Sequence, residues 1–277
     1  MNALIIVWRE SLEAMLVIGV LLGWIARQPE PAPLRRALWL GTGAGAGLAA
    51  LLGLATFLIR SELEGTVLEA FQVVMVLVAA LLIVQMVMWM RRHGRAMRQE
   101  LERRASGAAG ALGVGIVTAL AVAREGAETV VFLYGLGLEA GAGTLWRQIA
   151  AAATGFALAL ATAWIIARGA RLLSYRLLFR VSEVLLLLIA AGLLAGGIDR
   201  LIAMDWLPPL RDPMWDSSAL LDDGAGAGRV LTEFLGYRAR PCATLLIAYG
   251  AYWSLVAIAL RRTRAPAVAA RAAPMTG

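Results

Sequence analysis

The 277-residue chain contains no lysine, one cysteine and one histidine, and its 26 basic residues are all arginines. The single cysteine, Cys242, excludes an internal disulfide. The single histidine, His93, excludes a histidine-rich metal centre and a bis-histidine haem, and in RRHGR it reads as a solvated loop residue. Charge of either sign is scarce. Charged residues make up 16% of the chain against 60% hydrophobic, and mean hydropathy is +0.74. Soluble domains carry about 25% charged residues, so this composition excludes an ordinary water-soluble fold and directs the chain to a bilayer. The net charge of +7 does not call for nucleic acid, because the arginines flank apolar stretches where the positive-inside rule accounts for them. The first residues lack the basic region and small-residue cleavage site of a removable signal peptide, so the opening apolar run reads as a retained span.

Apolar runs recur along the whole length, each near the ~20 residues that an α-helix needs to cross ~30 Å of hydrocarbon. Backbone groups in lipid must bond internally, so helices are the expected element. The pattern predicts an all-α polytopic membrane protein with seven transmembrane helices, over residues 3–25, 37–59, 67–90, 111–137, 146–168, 178–200 and 242–261. No soluble domain is left, and 1–277 reads as one membrane-embedded unit.

Arginines gather in alternate connectors: Arg27, Arg35 and Arg36 in the first; Arg91, Arg92, Arg95, Arg98, Arg103 and Arg104 in the third; Arg168, Arg171 and Arg176 in the fifth. Arg261 closes the last span, and Arg262, Arg264 and Arg271 follow it in a tail at 262–277. The second connector (RSELEGTVLE), the fourth (EAGAGTLWR) and a long acidic sixth at 204–241 lack that excess. The bias predicts an outer N-terminus and a cytoplasmic C-terminus.

Two spans break the apolar pattern in the same way. WRESLEAMLVIGVLLGW carries Arg9, Glu10 and Glu13, and GIVTALAVAREGAETVVFLYGLGL carries Arg124, Glu125 and Glu128. On a helix, i and i+3 share a face, so each span presents a pair of carboxylates, and each arginine reaches the second glutamate at i+4. Three ionised side chains in one span oppose insertion by roughly 8–10 kcal/mol, at about 2.5–3.5 kcal/mol each. Ion pairing for stability alone is a weak reason to bury them, since apolar replacements of such pairs are often neutral or better. The predicted topology makes the two motif helices antiparallel, each opening a three-helix unit. The expected architecture is a 3+3 inverted repeat, about 1–92 and about 108–203, plus a seventh helix, with the site near the midplane. Carboxylates from both helices form a candidate site for a hard cation, such as Fe(III), Mg, Ca or Mn, with Fe(II) held less selectively.

The paired R-E-x-x-E motifs resemble those of the oxidase-dependent iron transporters, the fungal high-affinity iron permeases and the bacterial EfeU-type permeases. Trp89 and Met90 closing the third span, WDSSALL at 215–221 and GYRARP at 236–241 also resemble that family. The resemblance implies iron as transported substrate with no permanently bound cofactor, and Glu10, Glu13, Glu125 and Glu128 as its ligands, supported by Arg9 and Arg124. It further implies a permease, not an enzyme, in the bacterial inner membrane, working with a periplasmic iron-binding or oxidase partner. The first motif, nearer the outer end of its span, is then the first to receive the ion.

Lesser candidates for the ion path are Asp216, Asp222 and Asp223 in the acidic connector, against a bland reading as solvated turn residues. Glu69 and Glu183 lie near span interiors, where acids default to functional hypotheses. Met75, Met86, Met88 and Met90 fit packing better than soft-metal ligation. The glycines of GTGAGAGLAALLG fit close helix contact better than a phosphate loop. Two rivals stand beside the permease. An intramembrane di-iron carboxylate enzyme is disfavoured by the absence of Glu-x-x-His pairs. A proton-coupled exporter of a small organic cation would use the triads as gates.

Overall fold

The computed structural model describes residues 2–93, 110–137, 145–168 and 175–264, which form eight α-helices and no strand. They are α1 (Asn2–Ile25), α2 (Pro31–Glu62), α3 (Gly65–His93), α4 (Gly110–Gly137), α5 (Leu145–Ala167), α6 (Tyr175–Ala203), α7 (Gly226–Leu235) and α8 (Ala243–Arg264). Arg95, Arg98, Arg103, Arg104, Arg171 and Arg271 fall outside the described residues, as do 138–144 of the fourth connector.

Five helices, α2, α3, α5, α6 and α8, are long and apolar enough to cross a bilayer. The all-helical expectation therefore holds, and the expected seven spans are met by five. The other two long helices, α1 with 24 residues and α4 with 28, each carry a charged triad. Large apolar side chains such as Leu40, Leu51 and Phe57 on α2, Phe156 and Trp164 on α5, and Ile247 and Leu255 on α8 lie exposed. Such continuous apolar faces belong in lipid, not water, and the chain is a multi-pass membrane protein.

Two expectations need correction. The second connector is shorter than the 60–66 left between the predicted spans: α2 runs through Arg60, Ser61 and Glu62, and only Leu63 and Glu64 separate it from α3. Leu63 is extended and Gly65 takes φ +56°, which is enough to reverse the chain. At its other end α2 starts with Pro31, whose missing N–H costs nothing in a first turn, so Arg35 and Arg36 are helical. The long sixth connector, in turn, contains α7. Its apolar positions Val230, Leu231, Phe234 and Leu235 fall on one side at helical spacing.

The chain divides into two compact units, Met1–Ala79 with Arg95–Val184, and Ala80–Gly94 with Leu185–Gly277. In the first, the dominant packings are α2 on α4 and α1 on α5, followed by α1 on α4. Glycines set the first two. A Cβ at Gly45 would lie 2.6 Å from Ala119 O and 3.0 Å from Ala123 N, and one at Gly155 would lie 2.5 Å from Leu4 O and 3.1 Å from Trp8 N. Only a residue without a side chain allows backbones this close. Tyr134 adds a hydroxyl donation to Gly53 O at 3.2 Å, and Trp8 Nε1 donates to Thr162 Oγ1 at 3.2 Å. Contacts that rise in step along both chains make α2 parallel to α4. Contacts between α1 and α4 run in opposite order: Val17, Leu21 and Ile25 pack with Leu38 and Val114 in one buried apolar cluster, while Glu10 and Glu13 meet Glu125. Those two helices are antiparallel.

In the second unit, Ala195 on α6 packs with Cys242 and Leu245. Tyr252 donates to Leu187 O at 2.7 Å and Tyr249 to Leu235 O at 2.8 Å. The connector is stitched to itself: Ser217 N–H donates to Ala239 O at 2.9 Å, the Ser217 and Tyr237 hydroxyls lie 2.7 Å apart, and Tyr237 donates onward to Leu221 O at 3.1 Å. WDSSALL and GYRARP thus form one folded element.

Candidate metal site

Leucine, valine and isoleucine carry α1 and α4 as helices through apolar surroundings, and the triads ride on the faces they turn to each other. Glu10, Glu13 and Glu125 each bring a carboxylate oxygen to within 4.8 Å of the other two, and all three residues are buried. Arg9 lies among them, Nη1 donating to Glu10 Oε1 at 3.2 Å and Nη2 lying 2.7 Å from Glu13 Oε1. Glu128 is one turn further along α4, where Arg124 Nε donates to its Oε1 at 2.9 Å. The four expected ligands therefore separate into a grouped trio and a neighbour held by its own arginine.

Three carboxylate oxygens, Glu10 Oε2, Glu125 Oε2 and Glu128 Oε2, are buried with no hydrogen-bond partner among the described residues. A buried acceptor left unmet costs about 1–3 kcal/mol, more when charged. Buried unmet oxygens of this kind are what a hard cation would satisfy, and oxygen-only ligation suits such ions. Toward the C-terminus of α1, Val17, Leu21 and Ile25 pack with Leu38 and Val114 in the buried apolar cluster. Between that cluster and Glu125, Thr118 is fully buried and donates back to Val114 O at 2.8 Å. Sequence reasoning passed over Thr118 and Trp8, since a lone hydroxyl or indole in a span carries no spacing signal.

The remaining candidates are placed otherwise. Asp216 accepts from Ser218 N at 2.9 Å and Ser218 Oγ at 2.6 Å, and pairs with Arg240 at 2.9 Å. Asp222 Oδ1 accepts from Gly224 N at 3.0 Å and Asp223 Oδ2 from Ala239 N at 3.1 Å. All three serve to fold the connector. Glu69 is exposed near the start of α3, Glu183 is half-buried in α6, and neither joins a group of metal-capable acids among the described residues.

A multi-pass helical membrane protein with a buried carboxylate cluster between two of its helices is the class that fold and site define. More particularly, the Iron permease FTR1 family pattern matches residues 1–265, and the chain belongs to that family. It is 27% identical over 281 residues to the ferrous iron permease EfeU of Escherichia coli O157:H7, covering 97% of this chain and 98% of the relative. It is 26% identical over 290 residues to high affinity iron permease 1 of Rhizopus delemar, covering 91% and 78%. An uncharacterized protein of Archaeoglobus fulgidus is 30% identical over 249 residues, 86% of each chain. No solved structure matches.

Proposed function

We propose that the chain carries iron across the bacterial inner membrane into the cytoplasm, binding it between α1 and α4 through Glu10, Glu13 and Glu125, with Glu128 as the adjoining carboxylate. The observation that carries this reading is the meeting of three buried carboxylates from two antiparallel helices, with buried oxygens of Glu10 and Glu125 left without a hydrogen-bond partner. Isolated charges in lipid are expelled or paired, and in spans they mark ion pathways. A di-iron enzyme fits less well, because the residue three after each first glutamate is glutamate, not histidine.

The reading includes α1 and α4 as membrane spans, giving seven with the five apolar ones, an outer N-terminus and a cytoplasmic C-terminus. It also includes an inverted repeat, which the helix packing supports. Leu4 and Trp8 precede Arg9 by five residues and one, as Ala119 and Ala123 precede Arg124, and each pair of backbone atoms faces a glycine of the second helix of the other half, Gly155 or Gly45. The same register reached twice, with the halves exchanged, is what a two-fold axis between the halves would produce. A periplasmic iron-binding or oxidase partner belongs to the proposal through family membership.

Iron-55 uptake by proteoliposomes tests it. Glu10→Gln and Glu125→Gln preserve shape while removing the ligand charge, and each is expected to reduce uptake at least a hundredfold with the protein still inserted. Uptake at wild-type rates by both variants would refute the site.

A further inference from the structure

The connector between α6 and α7 begins with an apolar strip that the described residues leave uncovered. Trp206, Leu210, Met214 and Trp215 are all exposed, Trp206 at 59% and Leu210 at 68%. Turns that face water are built mainly from glycine, proline and small polar residues, and this one sets four large apolar side chains outward.

Hydrogen bonds fix the strip to two helices that are apolar enough to cross the bilayer. Trp206 N–H donates to Leu201 O at 2.9 Å at the end of α6, while Ala243 N–H donates to Arg211 O and Met214 N–H to Pro241 O, each at 2.9 Å. The Thr244 hydroxyl donates to Pro208 O. As the strip advances from 208 to 214 its partners fall back from 244 to 241, so it lies along the head of α8. The 20 residues from Ala243 to Arg262 are the apolar part of α8, and ~30 Å of hydrocarbon requires about that many. Ala243 therefore stands at the hydrocarbon boundary, and the strip stands there with it. One turn into α8, Ile247 is exposed and continues the apolar surface toward the bilayer core.

Leu210 supplies an independent observation. Its φ of +61° is a left-handed backbone, unfavourable for any residue with a Cβ, and its exposed side chain recovers little from the protein. Contact with lipid would offset that. Trp206 and Trp215 bracket the strip, and tryptophan is enriched where membrane meets water because its ring is apolar and its N–H polar. Asp205 and Asp212 outnumber Arg211 here, so attraction to anionic lipid does not account for the arrangement.

We propose that residues 206–215 are an interfacial anchor. Trp206, Leu210, Met214 and Trp215 enter the headgroup and upper acyl region of the bilayer and hold the folded element of WDSSALL and GYRARP down on the membrane surface. The anchor does not depend on which ion the protein carries.

The test places a nitroxide at single cysteines in the full chain, with Cys242 replaced by serine, in phosphatidylcholine nanodiscs. Power-saturation EPR compares collision with oxygen, which partitions into lipid, and with Ni-EDDA, which stays in water. L210C and W215C are each expected to give an oxygen to Ni-EDDA ratio at least threefold above that of A225C, in the exposed turn before α7, and closer to that of I247C. A smaller rise at either position would mean a loop in water and overturn the proposal. Shielding from both reagents, as a partner protein or a second copy on the strip would produce, overturns it as well. If the cysteine-free chain does not fold, the native chain labelled with 5-fluorotryptophan decides. The fluorine resonances lost in W206F and W215F should broaden more with nitroxide lipid than with a water-soluble gadolinium chelate. Equal or greater broadening by gadolinium, or none by either, overturns the anchor.

Discussion

Adding one methyl group to α2 should distinguish a glycine that holds the site's frame from one that does not. A Cβ at Gly45 would sit 2.6 Å from Ala119 O, 2.8 Å from Val122 Cβ and 3.0 Å from Ala123 N. Two of those atoms are backbone and cannot rotate aside. Ordinary contact starts near 3.4 Å, so α2 and α4 must part by about 0.8 Å, and overpacking of this kind costs about 1–3 kcal/mol. Gly43, half a turn away, has nothing within 4 Å of its Cβ position, so Gly43→Ala keeps only the helix-propensity gain of about 0.5–1 kcal/mol. Both substitutions share that gain, and the difference between them isolates the overlap. Thermal unfolding in detergent should place Gly45→Ala about 1–3 kcal/mol below Gly43→Ala. Because Ala123 directly precedes Arg124 and Glu125, Fe2+ binding should weaken in Gly45→Ala and persist in Gly43→Ala. Equal stability and equal binding in the two variants would refute the packing argument.

Gly236 ends α7 at φ +70°, and a Cβ there would lie 2.7 Å from Ala195 Cβ and 3.2 Å from Ala191 O. Gly236→Ala therefore meets both a left-handed backbone penalty of about 1–2 kcal/mol and a clash with α6, and should lower the unfolding temperature; an unchanged temperature counts against this. In the connector, the Ser218 hydroxyl first, then the Ser218 N–H and Arg240, hold the Asp216 carboxyl below its ordinary value of 3.8. A depressed folded-state value means that this contact contributes fully above pH 3.8 and is lost as the pH falls through the lowered value. Ser218→Ala should move the Asp216 titration upward by NMR, and an unmoved titration would show that the serine is not the cause.

The helical class and the trio were legible because charge inside an apolar run has few physical explanations, and two copies at one spacing leave fewer. The separation of Glu128 from the trio, and the contrast between Arg9 and Arg124, were not. Spacing along a helix is identical in RESLE and REGAE, and only the neighbouring helices decide which arginine is buried. Helix α7 was hidden by its short length and by DDGAGAG before it, although Val230, Leu231, Phe234 and Leu235 carried an amphipathic signal. The stitching of Ser217 to Tyr237 joins stretches 20 residues apart, beyond the reach of any local pattern.

The interlocked glycines have a mechanical consequence. Backbones as close as those at Gly45 and Gly155 slide past each other poorly, which ties α2 to α4 and α1 to α5 as two stiff couples. Glu10 and Glu13 ride on one couple and Glu125 on the other. Any rocking that opens the seam between the couples must also pull the three carboxylates apart, so under the proposed function the stroke that opens a way out would loosen the hold on the ion.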